Sequence, residues 1–193
     1  HLVLDGDTST LAAGKYINAS GTFTHDGPVT LAANVDGSYA QLKFGGAYSG
    51  TNGSVTQQQH LNAGWVMAGA SMSATTAGFF GNVGSDGPGH TANTQNLFSW
   101  DGQKYVNVTN AIASITPGAG YFGYVGQYGF RGASGVHNFS GAPNTSVSPV
   151  LVNTAADQGV AIEGTHTDER DGWNLIANPF TCALDFEALS LTN

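Results

Sequence analysis

Apolar and polar residues alternate in short stretches along this chain, and almost nowhere do they recur at helical spacing. Tyr39-Ala-Gln-Leu-Lys-Phe44 alternates for six residues, with Tyr39, Gln41 and Lys43 on one parity and Ala40, Leu42 and Phe44 on the other. That period of two marks a half-buried strand. Trp65-Val-Met67, Leu97-Phe-Ser-Trp100, Tyr105-Val-Asn-Val108, Tyr121 to Val125, Val147 to Val152 and Trp173 to Ile176 predict further strands in the same way. Turn pairs punctuate them: Asp36-Gly37, Asn52-Gly53, Asp86-Gly87, Asp101-Gly102, Pro117-Gly118 and Asp171-Gly172. Asp101-Gly102, between two aromatic strands, is the clearest hairpin signal. Leu184 to Leu191 is the one segment that suits a helix, and it is brief.

The first 45 residues keep another rhythm. Leu2-Val-Leu4, Tyr16-Ile17, Thr22-Phe-Thr24, Val29-Thr-Leu31 and Tyr39 to Phe44 recur about every ten residues, which suits stacked β coils or a meander. The fold class expected is therefore all-β: an antiparallel β-sandwich of jelly-roll type, preceded by an irregular or coil-like β-rich stretch.

An internal echo organises the rest. Ala63-Gly-Trp-Val-Met-Ala-Gly-Ala-Ser-Met72 is similar to Asp171-Gly-Trp-Asn-Leu-Ile-Ala-Asn-Pro-Phe180. After Trp65 come the aromatic hairpin Leu97 to Tyr105 and the segment Ile115-Thr-Pro-Gly-Ala-Gly-Tyr-Phe122; no counterpart follows Trp173 before Asn193. The expected organisation is a complete β module over 1–133, with a short-strand stretch at 1–45 and sandwich strands at 46–133. The opening half of a related module follows over 134–193, packed on the first or on a neighbour. Trp65 and Trp173 are expected to hold equivalent buried positions. A half-module with unpaired edges is further expected to associate with another chain or module rather than act as a lone closed monomer.

Composition narrows the function. Only 9% of the 193 residues are charged, 28 are Gly, and the formal charge is −8, with five Lys plus Arg against thirteen Asp plus Glu. Phosphate affinity comes from clustered cations, so nucleic acid is not an expected partner, and no run is long enough for direct membrane insertion. The 40% hydrophobic content, with ten Phe, seven Tyr and three Trp, argues for a packed core rather than disorder.

Gly172-Trp-Asn-Leu-Ile-Ala-Asn-Pro-Phe180, followed by Leu184-Asp-Phe186, resembles the GWNLIGNPYPSAIDW signature of large Bacteroidetes surface proteins. Leu97 to Tyr105 and Ile115 to Phe122 are similar to the aromatic hairpin and the Pro-Gly strand of that family. The resemblance spans about residues 60 to 193. It implies an extracellular or cell-surface protein exported by type IX secretion. Low charge, high Gly, side-chain amides and hydroxyls and repeated modules suit a structural or adhesive module there, and strand exchange through the open half-module could build a filament. The resemblance implies location more than chemistry, because such modules accompany adhesins, proteases and glycosidases alike. A carbohydrate-binding module and an accessory β domain of a secreted hydrolase are the alternatives.

Catalytic machinery is not expected. His1, His25, His60, His90, His137 and His166 show no metal-ligand spacing and read as loop residues. Gly132-Ala-Ser-Gly135 lacks the nucleophile-elbow spacing. Cys182 sits among Phe180, Leu184 and Phe186 and reads as structural. Asp5-Gly-Asp7 and Asp168-Glu169 with Asp171 could offer oxygens to calcium, yet neither has an EF-hand's ligand count, and turn formation explains them. No metal, cofactor or hydrolytic turnover is expected. The five Asn-x-Ser/Thr sequons (Asn18, Asn52, Asn107, Asn138, Asn144) carry little weight in a bacterial protein. The remaining candidates for ligand binding are Phe122, Tyr124, Tyr128 and Phe130, which share one parity and could stack on sugar rings if they face outward, or fill the core if they face inward. Neighbouring copies or modules, and surface glycans, are the expected partners.

Overall fold

The computed structural model of the chain describes residues 2–73, 76–81, 96–101, 104–109, 113–126, 130–148, 151, 174–185 and 187. Over these residues the protein is all-β. Its strands are β1 (Leu2–Asp5), β2 (Ser9–Leu11), β3 (Tyr16–Ala19), β4 (Phe23–Asp26), β5 (Val29–Leu31), β6 (Gln41–Phe44), β7 (Tyr48–Thr51), β8 (Val55–Leu61), β9 (Gly64–Ala68), β10 (Leu97–Trp100), β11 (Tyr105–Asn107), β12 (Tyr121–Val125) and β13 (Gly135–Gly141), with one short 3-10 turn at Ala77–Phe80.

The first eight strands form neither a meander nor a sandwich. They wind as a coil through three columns, and each column is a stack of parallel strands: β1-β4-β7, β2-β5-β8 and β3-β6. Strands adjacent in sequence belong to different columns, so the ten-residue rhythm is the spacing between corners and not between partners. The partner of Leu2 is Phe23, a step of 23 − 2 = 21 residues, and the partner of Phe23 is Tyr48, a step of 48 − 23 = 25. The longer second turn contains a small excursion closed by the Ala33–Tyr39 bridge and an Asp36-Gly37 turn, in which the Asp36 carboxylate accepts from the Ser38 N–H at 2.8 Å. The coil-like stretch expected over 1–45 thus runs on to Leu61, and the antiparallel sandwich expected from residue 46 is corrected for β7 and β8, which join parallel columns. The columns stay parallel because every turn travels round the coil in the same sense.

Alternation in each strand sends one parity inward. Phe23, Val29, Leu31, Ala40, Leu42, Val55 and Met72 make the coil's core, and Lys43 faces out while Leu42 and Ala40 are buried, as the sequence predicts. One corner shows how tightly the turns stack. Gly6, Gly27 and Asn52 follow β1, β4 and β7, and all three have positive φ (142°, 97° and 54°). A Cβ on Gly27 would lie 2.4 Å from the Gly6 carbonyl oxygen, so only glycine fits between the turns there.

The remaining strands add an antiparallel part. β9 to β12 form a sheet in the order β11-β10-β12-β9, and β10 and β11 are joined through Asp101 as the hairpin the sequence predicts. Strand β13 pairs antiparallel with β8 over seven residues, from Gly135↔Leu61 to Gly141↔Val55, and so extends a column of the coil. A second core lies between this strand and the antiparallel sheet: Phe80, Leu97, Ile115, Tyr121, Val125, Phe130 and Phe139, with Phe79 packed against both cores. That core draws Phe139 from β13 and Leu97, Tyr121 and Val125 from the antiparallel sheet, and among the described residues no sheet closes.

Of the segment read as a second module, the described residues lie on the preceding ones. Gly120 donates to the Leu175 carbonyl at 2.7 Å, Ala177 donates to the Gly118 carbonyl at 2.9 Å, and Leu42 donates to the Thr181 carbonyl at 3.0 Å. The two echoed segments flank the same stretch, 64–68 alongside Tyr121–Val125 and 175–177 alongside Gly118–Gly120. Val147, Ser148 and Leu151, expected in a strand, are irregular. Most of the expected helix over Leu184 to Leu191, the turns at Asp86-Gly87 and Asp171-Gly172, and the carboxylates Asp168, Glu169 and Asp171 lie outside the described residues.

Candidate functional site

The antiparallel sheet has two different faces. Directly opposite partners share a face, and the registers Trp65↔Tyr124, Met67↔Phe122, Phe122↔Phe98, Phe98↔Asn107 and Trp100↔Tyr105 therefore place eight residues together. Seven are large and apolar: Trp65, Met67, Phe98, Trp100, Tyr105, Phe122 and Tyr124. The other parity, including Val66, Leu97, Tyr121 and Val125, turns to the core.

Ring contacts run across all four strands. Trp65 stacks on Phe122 at 4.9 Å between centroids and 13° between planes, and meets Tyr124 edge-on at 5.4 Å. Phe122 lies 5.4 Å from Tyr105, which meets Trp100 at 5.1 Å. Phe98 contacts both Trp65 and Tyr105. The row is open to solvent: Trp65 is 50% exposed, Met67 71% and Tyr124 40%. Trp65 stands on the edge strand β9, one ring face against Phe122.

Electrostatically the face is neutral, since β9, β10, β11 and β12 contain no Asp, Glu, Lys or Arg. Its polar elements are the Tyr124 and Tyr105 hydroxyls and the Asn107 amide, whose Oδ1 is buried without a hydrogen-bond partner. On the inner face Tyr121 is held differently. Its hydroxyl accepts from the Thr116 N–H at 3.0 Å, and burial pushes its pKa upward.

The four aromatic candidates of the sequence divide. Phe122 and Tyr124 lie on the open face. Phe130 does not, because parity holds only within one strand and β12 ends at Val125. Beyond it the chain returns, Phe130 donates its N–H to the Tyr124 carbonyl at 3.0 Å, and its ring seats fully buried on the inner side of Gly123. A Cβ on Gly123 would meet that ring at 2.4 Å. Tyr128 lies outside the described residues. Trp65 overturns the expectation of a buried tryptophan, because the inward parity of β9 belongs to the smaller Val66 and Ala68; Trp173 lies outside the described residues. The sequence missed Trp65, Met67, Phe98, Trp100 and Tyr105 as members of one surface. Parity within each strand was readable, but sheet order, which joins them, was not.

Other candidate chemistry is dispersed. His25, read as a loop residue, is a buried member of β4, its Nδ1 donating to the Gly27 carbonyl at 2.6 Å and its Nε2 accepting from the Tyr48 hydroxyl at 2.7 Å. His60 and His137 likewise stand in strands, β8 and β13; His1, His90 and His166 lie outside the described residues. Asp5 and Asp26 are neighbours in register, and the Asp26 carboxylate accepts from the Asn52 side-chain amide at 2.8 Å. Cys182 borders a shallow groove with Tyr16, Asn18, Gln41 and Lys43, its thiol pKa raised by burial and pulled back by Lys43. Among the described residues no three His, Cys, Asp or Glu side chains gather as metal ligands, and no helix is long and apolar enough to cross a membrane. Comparison with protein-family models, with curated proteins and with solved structures finds no match for the chain.

Proposed function

We propose that this chain is an adhesive module of a bacterial extracellular or cell-surface protein, and that it holds neutral glycans on the aromatic face of the β9–β12 sheet. The single observation that carries the reading is the uncharged aromatic row from Trp65 through Phe122 and Tyr105 to Trp100, open on one side of a sheet whose other side is core. An exposed apolar surface of that extent marks an interaction site. Sugar rings present flat C–H faces to aromatic side chains while their hydroxyls stay in water, and tyrosine hydroxyls at the edge supply the polar contacts. An anionic or cationic ligand would find no counter-charge on these strands. The surrounding surface, rich in Asn, Ser, Thr and Gln and poor in Lys, suits an exported scaffold. The resemblance to type IX-secreted surface proteins points the same way. The module binds without turnover; the accessory domain of a secreted hydrolase would use the same face.

The test is binding of the purified chain to a panel of neutral polysaccharides by affinity electrophoresis and calorimetry. Saturable binding to at least one is expected, and Trp65→Ala should weaken it about tenfold or more, equivalent to ~1.4 kcal/mol. Absence of binding across the panel, or binding that Trp65→Ala and Tyr124→Ala leave unchanged, would refute the reading.

A further inference from the structure

We infer that the aromatic face reads the interior of an extended neutral polysaccharide, a linear chain of diequatorially linked sugars lying across the strands, and not a single sugar. The inference rests on the glycan reading above and names the class of glycan within it. Two rings come to the face from opposite edges of the sheet, Trp65 from β9 and Tyr105 from β11, the outermost strands in the order β11-β10-β12-β9. Both reach the same two rings between them. Trp65 lies 5.8 Å from Phe98 and 4.9 Å from Phe122, and Tyr105 lies 6.5 Å from Phe98 and 5.4 Å from Phe122. Trp65 and Phe98 belong to strands two spacings apart, about 10 Å, as do Tyr105 and Phe122, so the edge side chains lean inward.

The result is two raised contacts on a shared base. Trp65 and Tyr105 are 50% and 47% exposed, whereas Phe98 and Phe122 are half-buried. Each end pairs an open ring with a polar group. Tyr124 meets Trp65 edge-on at 5.4 Å and brings a hydroxyl to that end. Tyr105 carries its own hydroxyl, with Trp100 at 5.1 Å and the Asn107 amide on the same strand. A sugar stacks its C–H face on such a ring and turns its hydroxyls to the polar group. One sugar covers one end.

Length and linkage follow from the sheet. Its four strands span three spacings, about 14 Å, which is about the length of three pyranose rings in an extended chain. Strands twist about the axis that runs across them, so a line of contacts along that axis stays straight. A chain whose glycosidic bonds are equatorial on both sides of each ring also runs straight, and it turns flat C–H faces to such a line. An axial bond curls the chain, which then touches one end of the face and leaves the other. Among the described residues no strand stands beyond β9 or β11, so the line is open to a chain that continues past both rings. Each contact alone is weak. Joined by one chain, the second forms at high effective concentration, and affinity climbs with length until both are engaged.

Calorimetric titration of the purified chain with cello-, xylo- and manno-oligosaccharides, from monosaccharide to hexasaccharide, tests this, with malto-oligosaccharides as the axially linked control. In at least one equatorial series the tetrasaccharide should bind about tenfold or more tighter than the disaccharide, with little gained beyond it. Maltotetraose should bind about tenfold or more weakly than that tetrasaccharide. Trp65→Ala and Tyr105→Ala should each erase the advantage of the tetrasaccharide over the disaccharide, the signature of a ligand that needs both ends. Equal affinity for disaccharide and tetrasaccharide, equal affinity for maltotetraose, binding of polysaccharides but of no oligosaccharide, or a tetrasaccharide that Tyr105→Ala leaves unaffected would each overturn the inference. If Trp65→Ala still weakens that binding, the glycan reading stands without it. A wild-type chain that binds no oligosaccharide and no polysaccharide overturns both. The wild-type length series decides the matter even if a variant fails to fold.

Discussion

At the scale of single residues, two buried contacts show what the fold depends on. His25 is enclosed in the coil with both ring nitrogens bonded, and the Tyr48 hydroxyl is the partner of Nε2. Tyr48→Phe should therefore cost about 1–3 kcal/mol, because it strands a buried acceptor while removing little volume; chemical denaturation measures it, and a neutral result would disprove the pairing's importance. His137 gives a pH dependence. Burial comes first among the causes that hold its pKa below the ordinary 6.5, with Arg131 and His60 adding repulsion against the Ala133 carbonyl's opposing hydrogen bond. A histidine with a depressed folded pKa keeps its full stability above pH 6.5 and loses it as pH falls from there towards the folded value. Melting temperature should thus fall on acidification below pH 6.5, and His137→Asn should flatten that part of the curve. An unchanged slope in the variant would assign the titration elsewhere.

At the scale of elements, much of each strand was legible in the sequence, since Ala40, Leu42, the Asp101 hairpin and the Tyr121–Val125 strand stand where alternation and turn chemistry put them. Pairing was not legible. Strands β1 to β8 are too short and too similar for their sequences to say whether a neighbour ten residues away or one about 21 to 25 residues away is the partner; only the stacked corners decide. The signal lay in Gly6, Gly27 and Asn52, residues that tolerate positive φ, spaced one turn of the coil apart. The candidate site was half legible for the same reason, with Phe122 and Tyr124 in place while Trp65 was assigned to the wrong face. Gly27→Ala checks the corner. It should destabilise by about 1–3 kcal/mol more than Gly37→Ala, because both strain a positive φ but only Gly27 abuts another turn. Equal losses in urea denaturation would show that stacking contributes nothing.

For the whole molecule, the two cores share Phe79, and the seven-residue β8–β13 ladder fastens the coil to the second core through Phe139. Unfolding should accordingly be one cooperative transition. Tryptophan fluorescence of a Trp173→Phe background, which reports on Trp65 and Trp100 in the antiparallel sheet, and far-ultraviolet circular dichroism, dominated by all strands, should give coincident curves. Separate midpoints would mean that the coil and the sheet melt independently.

The stacking of turns also fixes how the molecule responds to load. Pulled from its first strand, β1 peels away from β4 as an end strip, its bonds breaking in succession rather than together. Each released turn then feeds out its own length. A turn of 21 residues yields about 70 Å of extended chain and one of 25 about 85 Å, at roughly 3.4 Å per residue. Tension entering through the β8–β13 ladder instead meets seven paired residues in one strip. A pull applied at β1 would therefore lengthen the coil in low steps while the aromatic face stays folded, a built-in shock absorber for an adhesive surface.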